Sequence, residues 1–239
     1  MSLVGKTALV TGGARRVGRA IVEELARAGC RVVIHHGSSD ADAAALAAAL
    51  ATADYTPAVV KADLRQRDAA RAAIDAAVAA TGAIDILVNS AAAYARTPLS
   101  TMDDDVWDEM LALNLAAPMR LMREAARAGV ASIVNLVDVA AWQAWGNWSA
   151  YATSKAALLH LSRCLAVELA PRTRVNCVAP GTVIFPDDWD AERRAKQLSK
   201  VPLAREGSPA DVARVVRFLC EEQYLTGACI PVDGGAGLR

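Results

Sequence analysis

The chain has 239 residues, 54% of them hydrophobic, so a large core can be buried, and length alone permits one or two domains. Lysine plus arginine equals aspartate plus glutamate at 26 each, a balance that carries no footprint for nucleic acid or an anionic membrane surface. The five scattered cysteines form no Cys-x-x-Cys or Cys/His cluster, which argues against a metal site or a disulfide framework; no apolar run spans a bilayer, and Lys6 in a strand pattern is not a signal peptide, so a cytoplasmic protein is expected.

Lys6–Thr11 reads as a strand. Gly12-Gly13-Ala14-Arg15-Arg16-Val17-Gly18 follows, then a helix over Arg19–Ala28 with apolar residues at helical spacing, stopped by Gly29. Strand, glycine-rich turn and helix is the context that holds a dinucleotide pyrophosphate, because glycines admit the phosphates and the helix N-terminus offers free N–H donors. The alternative is an ordinary tight turn.

The second strand, Arg31–His36, ends where the fold presents an adenosine ribose. An acid there would favour NAD. Here His36, Gly37, Ser38 and Ser39 follow His35, and Asp40 and Asp42 fit a helix start capped by Ser39. With Arg15 and Arg16 in the preceding turn, two guanidiniums and two hydroxyls suit the 2′-phosphate of NADP(H), unless both arginines face solvent. A third strand, 56–62, leads to Asp63 and Leu64; Asp63 is either an adenine contact or a helix N-cap. The alanine-rich stretches 41–53 and 69–80 read as surface helices, the latter within a helix of about 65–81.

The fourth strand, 84–89, ends on Asn89 and runs into Ser90-Ala91-Ala92-Ala93-Tyr94. Thr101–Asp104 has the form of a capping box and opens a long helix over 103–128. Asn114 sits in it among leucines; a buried amide needs partners, so it is either a backbone clasp or part of a water relay. The fifth strand starts at Ile133 and carries Asp138. A helix over 151–169 presents Tyr151 and Lys155 one turn apart on one face. A lysine cation beside the phenol should lower its pKa from about 10 toward the working range of a general acid–base group.

The sixth strand, 175–179, ends in Pro180-Gly181. The charged segment 182–202 has the length and position of a lid. Ser208-Pro209-Ala210-Asp211 opens the last helix, and Ile230–Asp233 closes the sheet. Strands and helices alternate without a second composition regime. That predicts one α/β domain over 1–239: a Rossmann-type, doubly wound parallel sheet of about seven strands with helices on both faces and a ligand over the C-terminal strand ends.

Over nearly its whole length the chain resembles the short-chain dehydrogenase/reductase family. Thr11-Gly12 with Gly18, Asp63-Leu64, Asn89-Ser90-Ala91, Asn114, Tyr151-x-x-x-Lys155, Asn176, Pro180-Gly181 and Asp233-Gly234-Gly235 stand in the family's order. Arg16 replaces the usual middle glycine of the first turn, and Asp138 replaces the usual serine. Both departures are similar to the pteridine reductase branch.

The resemblance implies that Tyr151 donates the proton, that Lys155 holds the nicotinamide ribose and tunes Tyr151, that Asp138 partners Tyr151, and that Asn114 serves a water chain. It implies an NADPH-dependent reductase of pterins, dihydropterins or dihydrofolate, with the pterin stacked against Tyr94. It also implies a homotetramer built on the helices 103–128 and 151–169, with Gly-Leu-Arg239 reaching a neighbour's pocket. Trp142, Trp145 and Trp148 suit either pocket or packing, and Tyr94 alternatively packs its loop. An NADPH-dependent 3-oxoacyl-type carbonyl reductase and a non-catalytic NADP(H)-binding regulator are the competing functions.

Overall fold

The strand Thr7–Thr11 (β1) is buried end to end, with Ala8 and Val10 facing one apolar cluster and Leu9 another. A strand with two apolar faces must be covered on both, as in a parallel sheet between helical layers. The computed structural model, which describes residues 2–185 and 189–238, has that form. β1, β2 (Arg31–His36), β3 (Ala58–Lys61), β4 (Ile86–Asn89), β5 (Ser132–Leu136), β6 (Arg174–Pro180) and β7 (Cys229–Val232) form a 7-stranded parallel sheet in the order β3-β2-β1-β4-β5-β6-β7.

Helices α1 (Arg16–Arg27), α2 (Asp40–Ala49) and α8 (Pro209–Glu221) cover one face. On the other lie α3 (Ala69–Thr81), α4 (Asp104–Leu111), α5 (Ala117–Arg127) and α6 (Ser149–Glu168). The short α7 (Ala191–Leu198) buries no residue. Strand order reverses between β1 and β4, so the loops leaving those two strands diverge and open a crevice. No helix among the described residues is long and apolar enough to cross a membrane.

Local chemistry moves several boundaries. α1 begins at Arg16, not Arg19, with Arg15 as its extended N-cap. Ser208 and Asp211 form the expected reciprocal cap: the Ser208 hydroxyl accepts the Asp211 N–H at 3.2 Å and the Asp211 carboxylate accepts the Ser208 N–H at 2.8 Å. The box expected at Thr101–Asp104 does not form. Thr101 closes a short 3₁₀ turn, its hydroxyl donating to the Pro98 carbonyl, and Asp103 is the N-cap of α4. Ser39 stands at the N-cap of α2 without a side-chain hydrogen bond. Asp63 is not a helix cap, because α3 starts only at Ala69; its carboxylate is taken by the Arg65 guanidinium at 2.8 and 2.9 Å.

The single helix expected over 103–128 is interrupted by a π-helical turn at Ala112–Ala116. Pro118 supplies a reason: it lacks an N–H, and its ring crowds the carbonyl four residues back, on Asn114. β5 ends at Leu136, so Asp138 lies beyond the strand in extended backbone (φ −163) and caps a 3₁₀ turn, Val139–Ala141. Of the segment 182–202, residues 186–188 lie outside the described residues, as does Arg239.

Candidate active site

The crevice is a cleft of about 1990 Å³ over the carboxyl ends of the strands. Thr11 pins its floor: the hydroxyl oxygen accepts the Ser90 N–H at 3.0 Å and the Ala91 N–H at 3.1 Å, joining the ends of β1 and β4. Gly12 is left-handed (φ 62), and a Cβ there would sit 2.9 Å from the Ala91 Cα. A Cβ on Gly18 would lie 2.1 Å from the Gly12 carbonyl oxygen. Only glycine admits this approach of turn, helix and neighbouring loop. Arg16 is also left-handed (φ 50), a conformation that costs a non-glycine residue about 1–2 kcal/mol.

One end of the cleft is lined by Gly12, Arg15, Arg16, Val17, Gly18, His36, Ser38, Ser39, Asp63 and Leu64. Arg15 reaches Asp42 at only 3.6 Å with both side chains largely exposed, a pairing too open to consume its charge. His36 is buried, and its Nδ1 has no hydrogen-bond partner among the described residues. Beneath it, His35 Nδ1 accepts the Gly12 N–H at 3.4 Å while Nε2 lies 3.1 Å from the Ala62 carbonyl. Burial lowers the His35 pKa to about 4, so the ring is neutral and Nε2 is the donor.

The other end is lined by Ala91, Tyr94, Asp138, Tyr151, Lys155, Pro180 and Gly181. Tyr151, one turn into α6, donates its hydroxyl hydrogen to Asp138 Oδ2 at 2.8 Å. Asp138 Oδ1 accepts the Ala140 N–H at 2.8 Å, which fixes the carboxylate. Lys155 is buried, donates to the Leu136 carbonyl at 2.9 Å, and lies 5.8 Å from the centre of the Tyr151 ring.

The electrostatics correct one expectation. The Tyr151 pKa is not lowered by Lys155; burial, then the charge and hydrogen bond of Asp138, push it well above 10. Burial also raises Asp138, against the opposing hydrogen bonds from Ala140 and Tyr151 and the charge of Lys155. Burial lowers Lys155 from 10.5 to about 8, against the pull of Asp138. Desolvation is the larger effect on all three groups, and the attraction between Lys155 and Asp138 only opposes it.

Asn114 and Asn89 are not among the residues that line the cleft. Asn114 is a backbone clasp: its carbonyl oxygen accepts the Ala93 N–H at 2.8 Å, and its amide donates to the Ala93 carbonyl and the Ser154 hydroxyl, each at 3.0 Å. It holds the loop that carries Tyr94 against α6. Asn89 turns inward and donates to Asn135 Oδ1 at 2.7 Å, and Asn135 donates to Ser162 at 2.8 Å. Asn176 staples β6 to the chain before β7, accepting the Ala228 N–H at 3.0 Å and donating to the Leu225 carbonyl at 2.8 Å.

Tyr94 stands 4.4 Å from Trp148 and 4.9 Å, edge-on, from Tyr151, measured between ring centres. Trp145 and Trp148 line the cleft and Trp142 does not. Arg96, Phe185, Trp189 and Arg193 line it too, without having been singled out in the sequence. The local signal for Phe185, Trp189 and Arg193 was the charge and aromatic content of the expected lid; Arg96 had none.

A family model described as "Enoyl-(Acyl carrier protein) reductase" matches residues 12–237. The chain is 36% identical over 252 residues to L-rhamnose 1-dehydrogenase (NAD(P)(+)) of Azotobacter vinelandii (strain DJ / ATCC BAA-1303), covering 98% of both chains. It is 31% identical over 239 residues to 3-oxoacyl-(acyl-carrier-protein) reductase FabG of Staphylococcus aureus (strain Mu50 / ATCC 700699), covering 96% of this chain and 97% of that one. A crystal structure of FolM Alternative dihydrofolate reductase 1 from Brucella canis, complexed with NADP, superposes with a TM-score of 0.92 at 34% identity, over 100% of this chain and 96% of the other. Agreement in sequence and in backbone along the full length leaves one family: the chain is a short-chain dehydrogenase/reductase, an NAD(P)-dependent oxidoreductase by kinship.

Proposed function

We propose that this oxidoreductase uses NADPH to reduce a ring C=N of pterins, dihydropterins or dihydrofolate. The observation that carries the reading is the 2.8 Å hydrogen bond from Tyr151 to Asp138. A serine at that place would steady a carbonyl oxygen as negative charge develops. An ionised carboxylate would repel it, and a protonated one is already engaged with Tyr151. A carboxyl group can instead share a proton with Tyr151 or accept an N–H from a heterocycle, which suits protonation of a ring nitrogen.

The residues present fit NADPH. The Gly12–Gly18 turn leaves room for a pyrophosphate at the N-terminus of α1. Arg15, Arg16, Ser38 and Ser39 would hold the 2′-phosphate, and the partnerless Nδ1 of His36 faces the same end of the cleft. Asp63 and Leu64 would border the adenine, Ala91, Pro180 and Gly181 the nicotinamide side, and Lys155 the ribose. Bound NADPH supplies the hydride. Tyr151 gives the ring nitrogen its proton, Asp138 supplies a proton in turn to Tyr151, and Tyr94 offers a ring face to the pterin. Asn89 and Asn114 act as positioning residues behind the wall.

Similarity to the FolM structure supports the pterin reading, and similarity to the staphylococcal 3-oxoacyl reductase supports NADPH-dependent carbonyl reduction in the same site. A homotetramer packed through α4, α5 and α6, working in the cytoplasm on a small molecule, accompanies either reading. The test is NADPH oxidation, followed by absorbance, with dihydrobiopterin, dihydrofolate and an acetoacetyl thioester in parallel. Pterin turnover well above thioester turnover is expected. Turnover of the thioester alone would overturn the pterin reading.

A further inference from the structure

We infer that the substrate end of the cleft is built for an anionic side arm, so the preferred substrate is a fused planar heterocycle bearing a carboxylate tail. Dihydrofolate has such a tail; dihydrobiopterin does not. The inference rests on the pterin reading and narrows it.

Charge in the cleft is uneven. Among the described residues its lining acids are Asp63 and Asp138. Asp63 is neutralised by Arg65 at the adenosine end. Asp138 is committed to Tyr151 and the Ala140 N–H. Arg96, Arg193 and Lys200 also line the cleft, and none has a carboxylate within ion-pair distance among the described residues. These face a ligand-sized space.

Arg193 is held on an aromatic wall, and Arg96 lies two residues after Tyr94 in a loop tied to another. Thr97, next to Arg96, donates its N–H to the Asn147 carbonyl at 2.8 Å, tying that loop to the one carrying Trp145 and Trp148. Tyr94 and Trp148 lie against each other on this side. Across the cleft Phe185 stacks on Trp189 at 5.4 Å, and the Arg193 guanidinium sits 4.2 Å over the Trp189 ring. Guanidinium held on an indole keeps its fork free for a bidentate carboxylate. Flat apolar walls with cations at their rim match a flat ring with an anionic extension. Arg15 and Arg16 already serve phosphate at the far end, so these cations are surplus to the 2′-phosphate.

The test is binding to the NADP-loaded protein, read by quenching of tryptophan fluorescence, since Trp145, Trp148 and Trp189 line the site. Folate and biopterin are titrated into the parent, Arg96→Ala/Arg193→Ala and Arg96→Lys/Arg193→Lys. Loss of exposed charge pairs of this kind weakens binding by up to about fivefold each. The ratio of folate to biopterin affinity should therefore fall about tenfold in the alanine variant, and recover in part with lysine. Added salt should weaken folate binding selectively in the parent.

An unchanged affinity ratio in the alanine variant would overturn the inference. So would an equal loss for both ligands accompanied by weaker NADP binding, which would place the arginines on the cofactor. Arginine-dependent folate binding without turnover of either dihydro form would leave the anionic subsite standing and overturn the pterin reductase reading instead.

Discussion

Asp138→Asn tests the proposed chemistry with little change of shape. The amide keeps an oxygen to accept the Ala140 N–H, now at 2.8 Å, and another polar atom opposite the Tyr151 hydroxyl. What disappears is the charge and the capacity to take and return a proton. Burial raises the Asp138 pKa, so ionisation of this group is a cost to the folded state. The unfolded chain releases that proton first, hence stability contributed by Asp138 is greatest at low pH and lost as pH rises through its folded pKa. Removing the charge should leave stability at pH 7 unchanged or raise it by up to about 1 kcal/mol. The Tyr151 pKa should move down, because the charge and hydrogen bond of Asp138 help to hold it up. Turnover of a dihydropterin should drop by about 10²–10⁴, the usual worth of a positioned acid–base group and equal to about 3–5 kcal/mol in barrier. NADPH affinity and thermal unfolding measured beside turnover separate chemistry from misfolding. Turnover within about threefold of the parent, with Tyr151 shifted as expected, would refute the role given to the carboxyl.

Two further variants probe the supporting wall. Lys155→Met removes a buried cation whose pKa falls from 10.5 to about 8, a burden of about 3 kcal/mol at pH 7. Because the unfolded chain holds that proton longer, parent stability should rise between pH 8 and 10.5 on this account, and denaturant titrations of the methionine variant should lack that rise. Asn114→Ala leaves the Ala93 N–H and carbonyl and the Ser154 hydroxyl without their amide partner, a loss of about 2–4 kcal/mol measurable by urea unfolding. Its residual turnover should fall mainly through a displaced Tyr94 loop, so the pterin KM should rise more than the NADPH Kd.

What could be read in the sequence was local or repetitive. The apolar run in β1, the glycine turn before α1 and the Tyr151/Lys155 spacing each depend on a few neighbouring positions, so the sheet, the cleft and the Tyr151/Lys155 pair were legible. The π turn was not, since Asn114 keeps helical company and its partner Ala93 is brought to it only by the folded chain. The cap at Thr101 failed because Asp103 competes for the same helix start. Asn89 has the place of a cofactor contact along the chain, yet Asn135 on the adjoining strand turns it inward. The Tyr151 pKa went the wrong way for a related reason: burial does not show in spacing, and here it outweighs the lysine. Arg96 and Arg193 look like any surface charge until two distant segments face one cleft.

In the proposed reduction the same burial decides how the proton would travel. When Tyr151 gives its proton to a ring nitrogen, a phenolate appears 2.8 Å from Asp138. If Asp138 were ionised at that moment, two anions would share a desolvated site with the single cation of Lys155, an arrangement that like-charge repulsion opposes strongly. Hydrogen transfer is therefore easiest from the state in which Asp138 is a carboxylic acid, donating to the Tyr151 oxygen as Tyr151 donates to substrate. Atoms balance: the nitrogen gains the Tyr151 proton, Tyr151 regains one from Asp138, and solvent returns it to the carboxylate after product leaves. The raised pKa of Asp138 keeps that acid populated above the ordinary carboxylate range. The kcat profile should thus fall as pH rises through the Asp138 pKa, a second decline should follow near pH 8 as Lys155 loses its charge, and Asp138→Asn should abolish the first limb alone. A parent profile flat from the carboxylate range to the onset of Lys155 titration would show that protons reach Tyr151 by another route.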